Sequence, residues 1–353
     1  MHLHLIISDE ISSLTGGYIY NNHIVEGLRR QGYSIKVHTL MNDFPFPSQE
    51  SIKLCRNILI SIPIGEVIIF DSLVFGVIPD LLKEIKPYHP IVALMHLPLM
   101  FGDFNDESKM LLTALEFEAF NYANLIIVTS KFLKSKLQSI GIDSDRIKVV
   151  IPGVSIYSHK THYALKPSHL LYVANYTVNK SHNLLIEALS GLKHLDWTLH
   201  CYGNVETDSA CFNSLSGLVN ENFLQNRIML CKSVHGKALS SVYSSADIFI
   251  HPSSFETYGM VLSEALSHGI PVIVSKEVKR TNTVPSDMGL FFATNDTVSL
   301  RHTIEELLTD NVLYHNLCSN VSSYLSHSQS WQKTIAEFAM ALSMFKVNLK
   351  IYN

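Results

Sequence analysis

Ala246-Asp247-Ile248-Phe249-Ile250-His251-Pro252-Ser253 is the stretch whose reading decides the fold. A short apolar run, Ile248 to His251, ends in small polar residues, and a helical pattern follows over about 258–268. Such a run, bounded by turn residues and followed by a helix, reads as a strand covered on both faces. The first half of the chain carries its echo, Ala123-Asn124-Leu125-Ile126-Ile127-Val128-Thr129-Ser130, followed by a helical pattern over about 131–140. One supersecondary unit therefore appears in both halves.

Working outward, the first half offers strands at Leu3–Ser8, Ile35–Leu40, Val67–Phe70, Ile91–Met95, Leu125–Thr129 and Lys148–Ile151. Helices are expected between them at about 20–31, 76–86, 106–122 and 131–140. The second half offers strands at Leu170–Val173, Thr198–Tyr202, Ile228–Leu230, Ile248–His251, Val272–Val274 and Leu290–Phe292. Its helices are expected at about 182–193, 235–245, 258–268 and 297–309, and the tail from Asp310 reads as two more. Alternating strands and helices indicate parallel sheets with helices on both faces. The fold class is α/β, with two Rossmann-like doubly wound domains facing a central cleft. Residues 1–165 form the first, residues 166–330 the second, and 331–353 a closing helix. The polar stretch Tyr157–Ser168, with His159, His162 and Pro167, is the expected linker.

Composition narrows the function. Of 353 residues, 47% are hydrophobic and 16% charged, enough to build two cores and too few charges for disorder. Residues 1–165 carry 14 Lys+Arg and 16 Asp+Glu, leaving 13 and 15 for the rest, so neither half has the basic balance of a nucleic-acid-binding module. The five cysteines are scattered and never form a CxxC pair, which argues against a structural zinc site or a disulfide framework. The apolar region Ile58–Pro79 is broken by Pro63, Glu66 and Asp71 and does not read as a membrane span. MHLHLIISDE lacks the basic start of a signal peptide. We expect a cytoplasmic protein, with peripheral contact at the inner face of the membrane left open.

In doubly wound sheets ligands bind outside the carboxyl ends of the strands, and the chemistry-bearing motifs fall there. Thr15-Gly16-Gly17-Tyr18 follows the first strand and precedes a helix, where backbone N–H groups can approach an anion closely; an ordinary turn is the alternative. Phe255-Glu256-Thr257-Tyr258-Gly259-Met260-Val261-Leu262-Ser263-Glu264 follows the Ile248–Ser253 strand. The N–H groups of Gly259, Met260 and Val261 at that helix start suit a diphosphate. Glu256 and Glu264 can accept hydrogen bonds from paired sugar hydroxyls.

The Glu256-x7-Glu264 spacing within PSSFETYGMVLSEALSHGIPVIVS resembles the signature of glycosyltransferase family 4 enzymes with the GT-B fold. Ser181–Leu189, Val242–Ser253, Arg146–Val154 and the Gly16-Gly17 pair resemble the same family. The resemblance is strong over 170–275 and looser before residue 120. It implies donor phosphates on the amides of Gly259, Met260 and Val261 beside Tyr258, ribose hydroxyls on Glu264, and hydroxyls of the transferred sugar on Glu256. It implies that Gly16 and Gly17 close on the diphosphate and that His96 lies near the donor sugar and its phosphate. Glu256, His96 and Lys180 form the implied catalytic set. The family loop reads roughly G-R-x4-K-G; here Lys180 keeps the Lys, Asn175 replaces the Arg and Ser181 replaces the second Gly. Half of the usual positive charge, which stabilises the departing diphosphate, is missing.

The resemblance further implies transfer with retention of anomeric configuration, no cofactor and no metal, and a closing helix, 331–353, that crosses back to the first domain. A UDP-sugar is the favoured donor. The acceptor is a glycan, a lipid-linked or a small-molecule hydroxyl. A nucleotide-sugar epimerase or hydrolase on the same fold, and a non-catalytic partner subunit, are the alternatives. Asp143-Ser144-Asp145 spells a metal-binding DxD, but it precedes a strand and reads as a turn. Lys131, Lys134 and Lys136 read as a solvated helix face, with an anionic membrane surface as the alternative. Tyr18, Tyr20, Asn21 and His23 either meet the acceptor or simply begin the first helix.

Overall fold

The computed structural model describes residues 2–8, 15–155, 163–324 and 328–351, with 345–351 described by backbone alone. The chain divides into two compact units: unit 1 is Met1–Gly153 with Gln329–Asn353, and unit 2 is Val154–Ser328. The division falls at Gly153/Val154, ahead of the 165/166 boundary read from the sequence, and Tyr157–His162 of the expected linker lie outside the described residues.

Unit 1 runs β1 (His2–Ile7), α1 (Gly16–Arg30), β2 (Ser34–Thr39), α2 (Gln49–Ser61), β3 (Val67–Asp71), α3 (Ser72–Phe75), α4 (Pro79–Ile85), β4 (Ile91–Met95), α5 (Asp106–Ala119), β5 (Leu125–Val128), α6 (Lys131–Ser139) and β6 (Ile147–Val149). Its six parallel strands lie in the order β2-β1-β3-β4-β5-β6. The strands are apolar on both faces because both faces are covered. Along β4, Ile91, Ala93 and Met95 enter one core while Val92 and Leu94 enter the other.

Unit 2 runs β7 (His169–Val173), α7 (His182–Ser190), β8 (Thr198–Gly203), α8 (Ser209–Glu221), β9 (Ile228–Lys232), α9 (Gly236–Ser245), β10 (Ile248–His251), α10 (Met260–Ser267), β11 (Val272–Ser275), α11 (Lys276–Lys279), β12 (Gly289–Phe292), α12 (Thr297–Thr309) and α13 (Asn311–Ser322). Its sheet is also parallel, in the order β12-β11-β10-β7-β8-β9. This is the dinucleotide-binding order, with the direction of winding reversing between β7 and β10. In unit 1 the reversal falls between β1 and β3. Ligands of doubly wound sheets bind in the crevice at such points, beyond the strands' carboxyl ends.

The chain closes with α14 (Trp331–Ile351), which belongs to unit 1 and packs on α1. Gly27 makes the approach possible, since a Cβ there would lie 2.2 Å from Ile335 Cδ1. Thr334 Oγ1 donates to the Ile151 carbonyl at 2.8 Å, and the His23 ring stacks on Trp331 with centroids 3.9 Å apart.

Three expectations need correction. The helix expected over 76–86 is the shorter α4, Pro79–Ile85: Gly76 closes the separate helix α3, and Pro79, which has no N–H to give, opens α4 at its first position. Helices α2 and α8 have no counterpart in the sequence reading, although Ser48 and Asp208 cap them. Gly16 and Gly17 do not precede a helix but form its first turn, capped by Thr15. Among the described residues no helix is long and apolar enough to cross a membrane. Lys134 donates to the carbonyls of Ser144 and Ile147, so it ties α6 to β6. The Asp143-Ser144-Asp145 segment is a turn in which Asp143 caps the N–H of Asp145.

Candidate active site

In unit 2 the loops after β7 and β10, the two strands at the reversal point, bring Lys180 and Glu256 together. Lys180 Nζ is 2.5 Å from Glu256 Oε1. His251, the last residue of β10, places Nε2 3.0 Å from the same oxygen. Burial raises the Glu256 carboxyl, but Lys180 and the His251 hydrogen bond outweigh it and hold the group well below the usual carboxylate range. Burial lowers His251, with Glu256 acting in the opposite sense. His251 Nδ1 is buried without a partner among the described residues. Sequence reasoning missed His251; its only signal was its place at the strand end, five residues before Glu256.

Gly259 caps α10 at φ +80°, the left-handed region, and a Cβ there would also meet Leu262 Cδ1 at 2.9 Å. Among the described residues no side chain caps this helix start, which leaves the amides of Met260 and Val261 in its first turn without an intrahelical acceptor. The preceding residue is fixed from two sides. Ser263 Oγ donates to Tyr258 Oη at 3.0 Å, and Thr283 Oγ1 donates to the Tyr258 carbonyl. Glu264 lies one turn into the helix, where its Oε2 accepts from Tyr243 Oη at 2.9 Å. Burial raises the Glu264 carboxyl, and the Tyr243 hydrogen bond offsets part of this. Tyr243 and Thr283 were not anticipated from the sequence.

The loop after β7 carries the departures from the family pattern. Ser181 sits at φ 54°, the left-handed conformation that explains why a glycine is usual there. Asn175 Oδ1 accepts from the Asn204 N–H at 3.3 Å, so its carbonyl is spent on the backbone. Of the two carboxylates, that of Glu256 is paired with the Lys180 ammonium, and that of Glu264 accepts from the Tyr243 hydroxyl.

In unit 1, Gly16 and Gly17 follow β1, Asp71 ends β3 and His96 follows β4. A Cβ on Gly17 would lie 3.1 Å from His96 Cδ2, so the glycine lets the imidazole lie against the helix start. His96 Nε2 is 2.8 Å from Asn21 Oδ1 and 3.6 Å from Asp71 Oδ2. Burial lowers its pKa, with Asp71 acting in the opposite sense. Tyr18, Tyr20 and Asn21 are buried rather than presented to a ligand, and Tyr20 Oη donates to the Val150 carbonyl. Glu116, fully buried on α5, accepts from the N–H groups of Leu99 and Met100 just beyond His96, and burial pushes it up to about 7 against those two hydrogen bonds.

Residues 157–324, just under half of the chain, match the family model for glycosyl transferases group 1. An uncharacterized glycosyltransferase of Methanocaldococcus jannaschii, MJ1607, is 22% identical over 264 residues, 69% of this chain and 66% of the relative. The next two curated relatives are matched over 16% and 49% of their lengths, so the chain spans less than two thirds of each of these three. Sucrose-phosphate synthase from Thermosynechococcus elongatus superposes with a TM-score of 0.78 at 17% identity, covering 100% of this chain and 99% of that one. Anabaena Alr3699/HepE in complex with UDP and glucose superposes at 0.76 and 17% identity, covering 97% and 99%. Residues 157–324 thus carry the group 1 glycosyl transferase pattern, on a chain whose fold is that of the GT-B glycosyltransferases.

Proposed function

We propose that this chain is a retaining, family 4 glycosyltransferase that moves a hexose-type sugar from a UDP-sugar to a hydroxyl-bearing acceptor without a metal. The observation that carries the reading is the convergence in unit 2 of Lys180, Glu256, the uncapped Gly259–Val261 helix start and Glu264 around the β7/β10 reversal point. The helix start supplies N–H groups and a positive dipole end to the diphosphate. Glu264 receives the ribose hydroxyls. Glu256 has one oxygen occupied by Lys180 and His251, which leaves the other for a sugar hydroxyl. Unit 1 takes the acceptor, with Gly16, Gly17 and His96 beyond the carboxyl ends of its own β1 and β4. The acceptor hydroxyl forms the new glycosidic bond, the anomeric C–O bond to the diphosphate breaks, and the leaving phosphate takes the acceptor's proton on the same face. Recognition of UDP in Alr3699/HepE supports the choice of base.

Asn175 in place of the Arg favours one second reading, a donor-binding partner subunit without turnover. A panel of UDP-sugars with EDTA and simple hydroxyl acceptors separates the two. UDP release, with product of the donor's anomeric configuration, supports the transferase. Binding of UDP with no turnover against any acceptor supports the partner subunit.

A further inference from the structure

The His96 ring is held by two residues that lie outside the family-like motifs. Asn21 Nδ2 donates to Asp71 Oδ2 at 3.0 Å, and Asn21 Oδ1 lies 2.8 Å from His96 Nε2. The Asp71 side chain is 5% exposed, and its other oxygen accepts from the Leu73 N–H at 3.1 Å. A carboxylate placed among N–H donors acts as an acceptor, so the Asn21 amide turns its NH2 to Asp71 and its carbonyl to His96. A carbonyl only accepts, so Nε2 carries the ring proton and Nδ1 carries a lone pair. Among the described residues Nδ1 has no hydrogen-bond partner. The ring cannot turn freely, because Gly17 lies against one edge and Tyr20 meets it edge-on with centroids 5.2 Å apart. Burial outweighs the nearby Asp71 and lowers the pKa of the imidazole, which favours its neutral form.

We propose that Asn21 and Asp71 are positioning residues that lock His96 in the Nε2–H tautomer, so that Nδ1 accepts a hydrogen bond from a sugar hydroxyl and offers no proton to a phosphate oxygen. This rests on the transferase reading above, which places His96 in the reaction. The tautomer is set by strand and helix geometry: Asp71 ends β3, and Asn21 is a buried residue of α1. The residues that choose the ring's chemistry therefore never touch the substrate.

The test is 15N NMR of the full chain with labelled histidine, the His96 signals being assigned by their loss in His96→Gln. It is paired with calorimetric titration of UDP and turnover of UDP-glucose. The native ring is expected to show a protonated Nε2 and an unprotonated Nδ1. Asn21→Leu and Asp71→Asn are each expected to mix the two tautomers and, where UDP-glucose is turned over, to lower kcat/KM about tenfold, the worth of one hydrogen bond. UDP, which has no transferred sugar, is expected to bind native and variant chains alike. A native ring protonated at Nδ1 overturns the proposal, as does Asn21→Leu or Asp71→Asn with an unchanged tautomer and undiminished turnover. If a variant does not fold, the native spectrum and the other variant still decide. Failure of UDP to bind the native chain counts against the donor reading, while the tautomer measurement continues to judge the positioning roles.

Discussion

Replacing Glu256 with Gln removes one charge from the ion pair with Lys180 in unit 2. Lys180 Nζ lies 2.5 Å from Glu256 Oε1, with the two side chains 24% and 15% exposed. Unit charges 4 Å apart attract by about 4 kcal/mol at an effective dielectric of 20, and a shorter pair gains more. Desolvation takes back several kcal/mol per buried ion, and breaking a fully buried pair costs about 3–5 kcal/mol. Lys180 retains access to water and rehydrates when its partner is neutralised, so we expect Glu256→Gln to destabilise unit 2 by about 2 kcal/mol at pH 7. The sign with pH follows from the depressed carboxyl. Folded Glu256 binds fewer protons than unfolded Glu256, so its contribution is complete above the ordinary carboxylate pKa of about 4.3 and fades as pH falls below it. Urea unfolding of native and Glu256→Gln chains at a series of pH values reads the difference directly. The gap should be constant near neutrality and narrow in acid. A gap that persists unchanged in acid, or a variant as stable as the native chain at pH 7, would refute the reasoning.

Three further substitutions and one control probe separate parts of the account. Gly259→Ala places a side chain at φ +80° and against Leu262, so we expect a loss of about 1–3 kcal/mol in urea unfolding together with weaker UDP binding. Gly27→Ala drives a methyl into Ile335 and should destabilise unit 1 by about 1–3 kcal/mol, less roughly 1 kcal/mol gained from alanine's helix propensity. Its control, Gly217→Ala in α8, meets nothing within 4 Å and should stabilise by about 0.5–1 kcal/mol; equal effects at the two sites would contradict the packing of α14 on α1. Thr283→Val removes the hydroxyl that fixes the Tyr258 carbonyl, costing about 1 kcal/mol, and should weaken UDP binding without changing the far-ultraviolet circular dichroism.

The sheets were legible because their strands are apolar on both faces. Runs such as Ile91–Met95 and Ile248–His251 stand out whatever their neighbours do, and they appear at those positions in the structure. Helices with mixed faces were not legible. In α2 the buried stripe is Ser51, Cys55 and Leu59, while Ile60 on the other side is 73% exposed, so the helical period is blurred. In α8 only Leu215 and Val219 are buried, too few to mark a face. The site divides in the same way. Glu256, Gly259 and Glu264 lie in one local motif whose spacing is visible. Their partners arrive from other elements: Tyr243 from α9, Thr283 from beyond α11, and Asp71 fifty positions after Asn21. No short-range pattern records such pairings, because only the folded sheet creates them.

The central claim, that the α10 start and its two glutamates hold a UDP-sugar, is tested most directly by calorimetric titration of UDP into native and Glu264→Gln chains in EDTA-containing buffer. The account predicts that UDP binds the native chain without metal and binds the variant about tenfold more weakly, one charge-assisted hydrogen bond to ribose having been lost. No binding of UDP to the native chain at millimolar concentration, or equal affinity in the two chains, would contradict it.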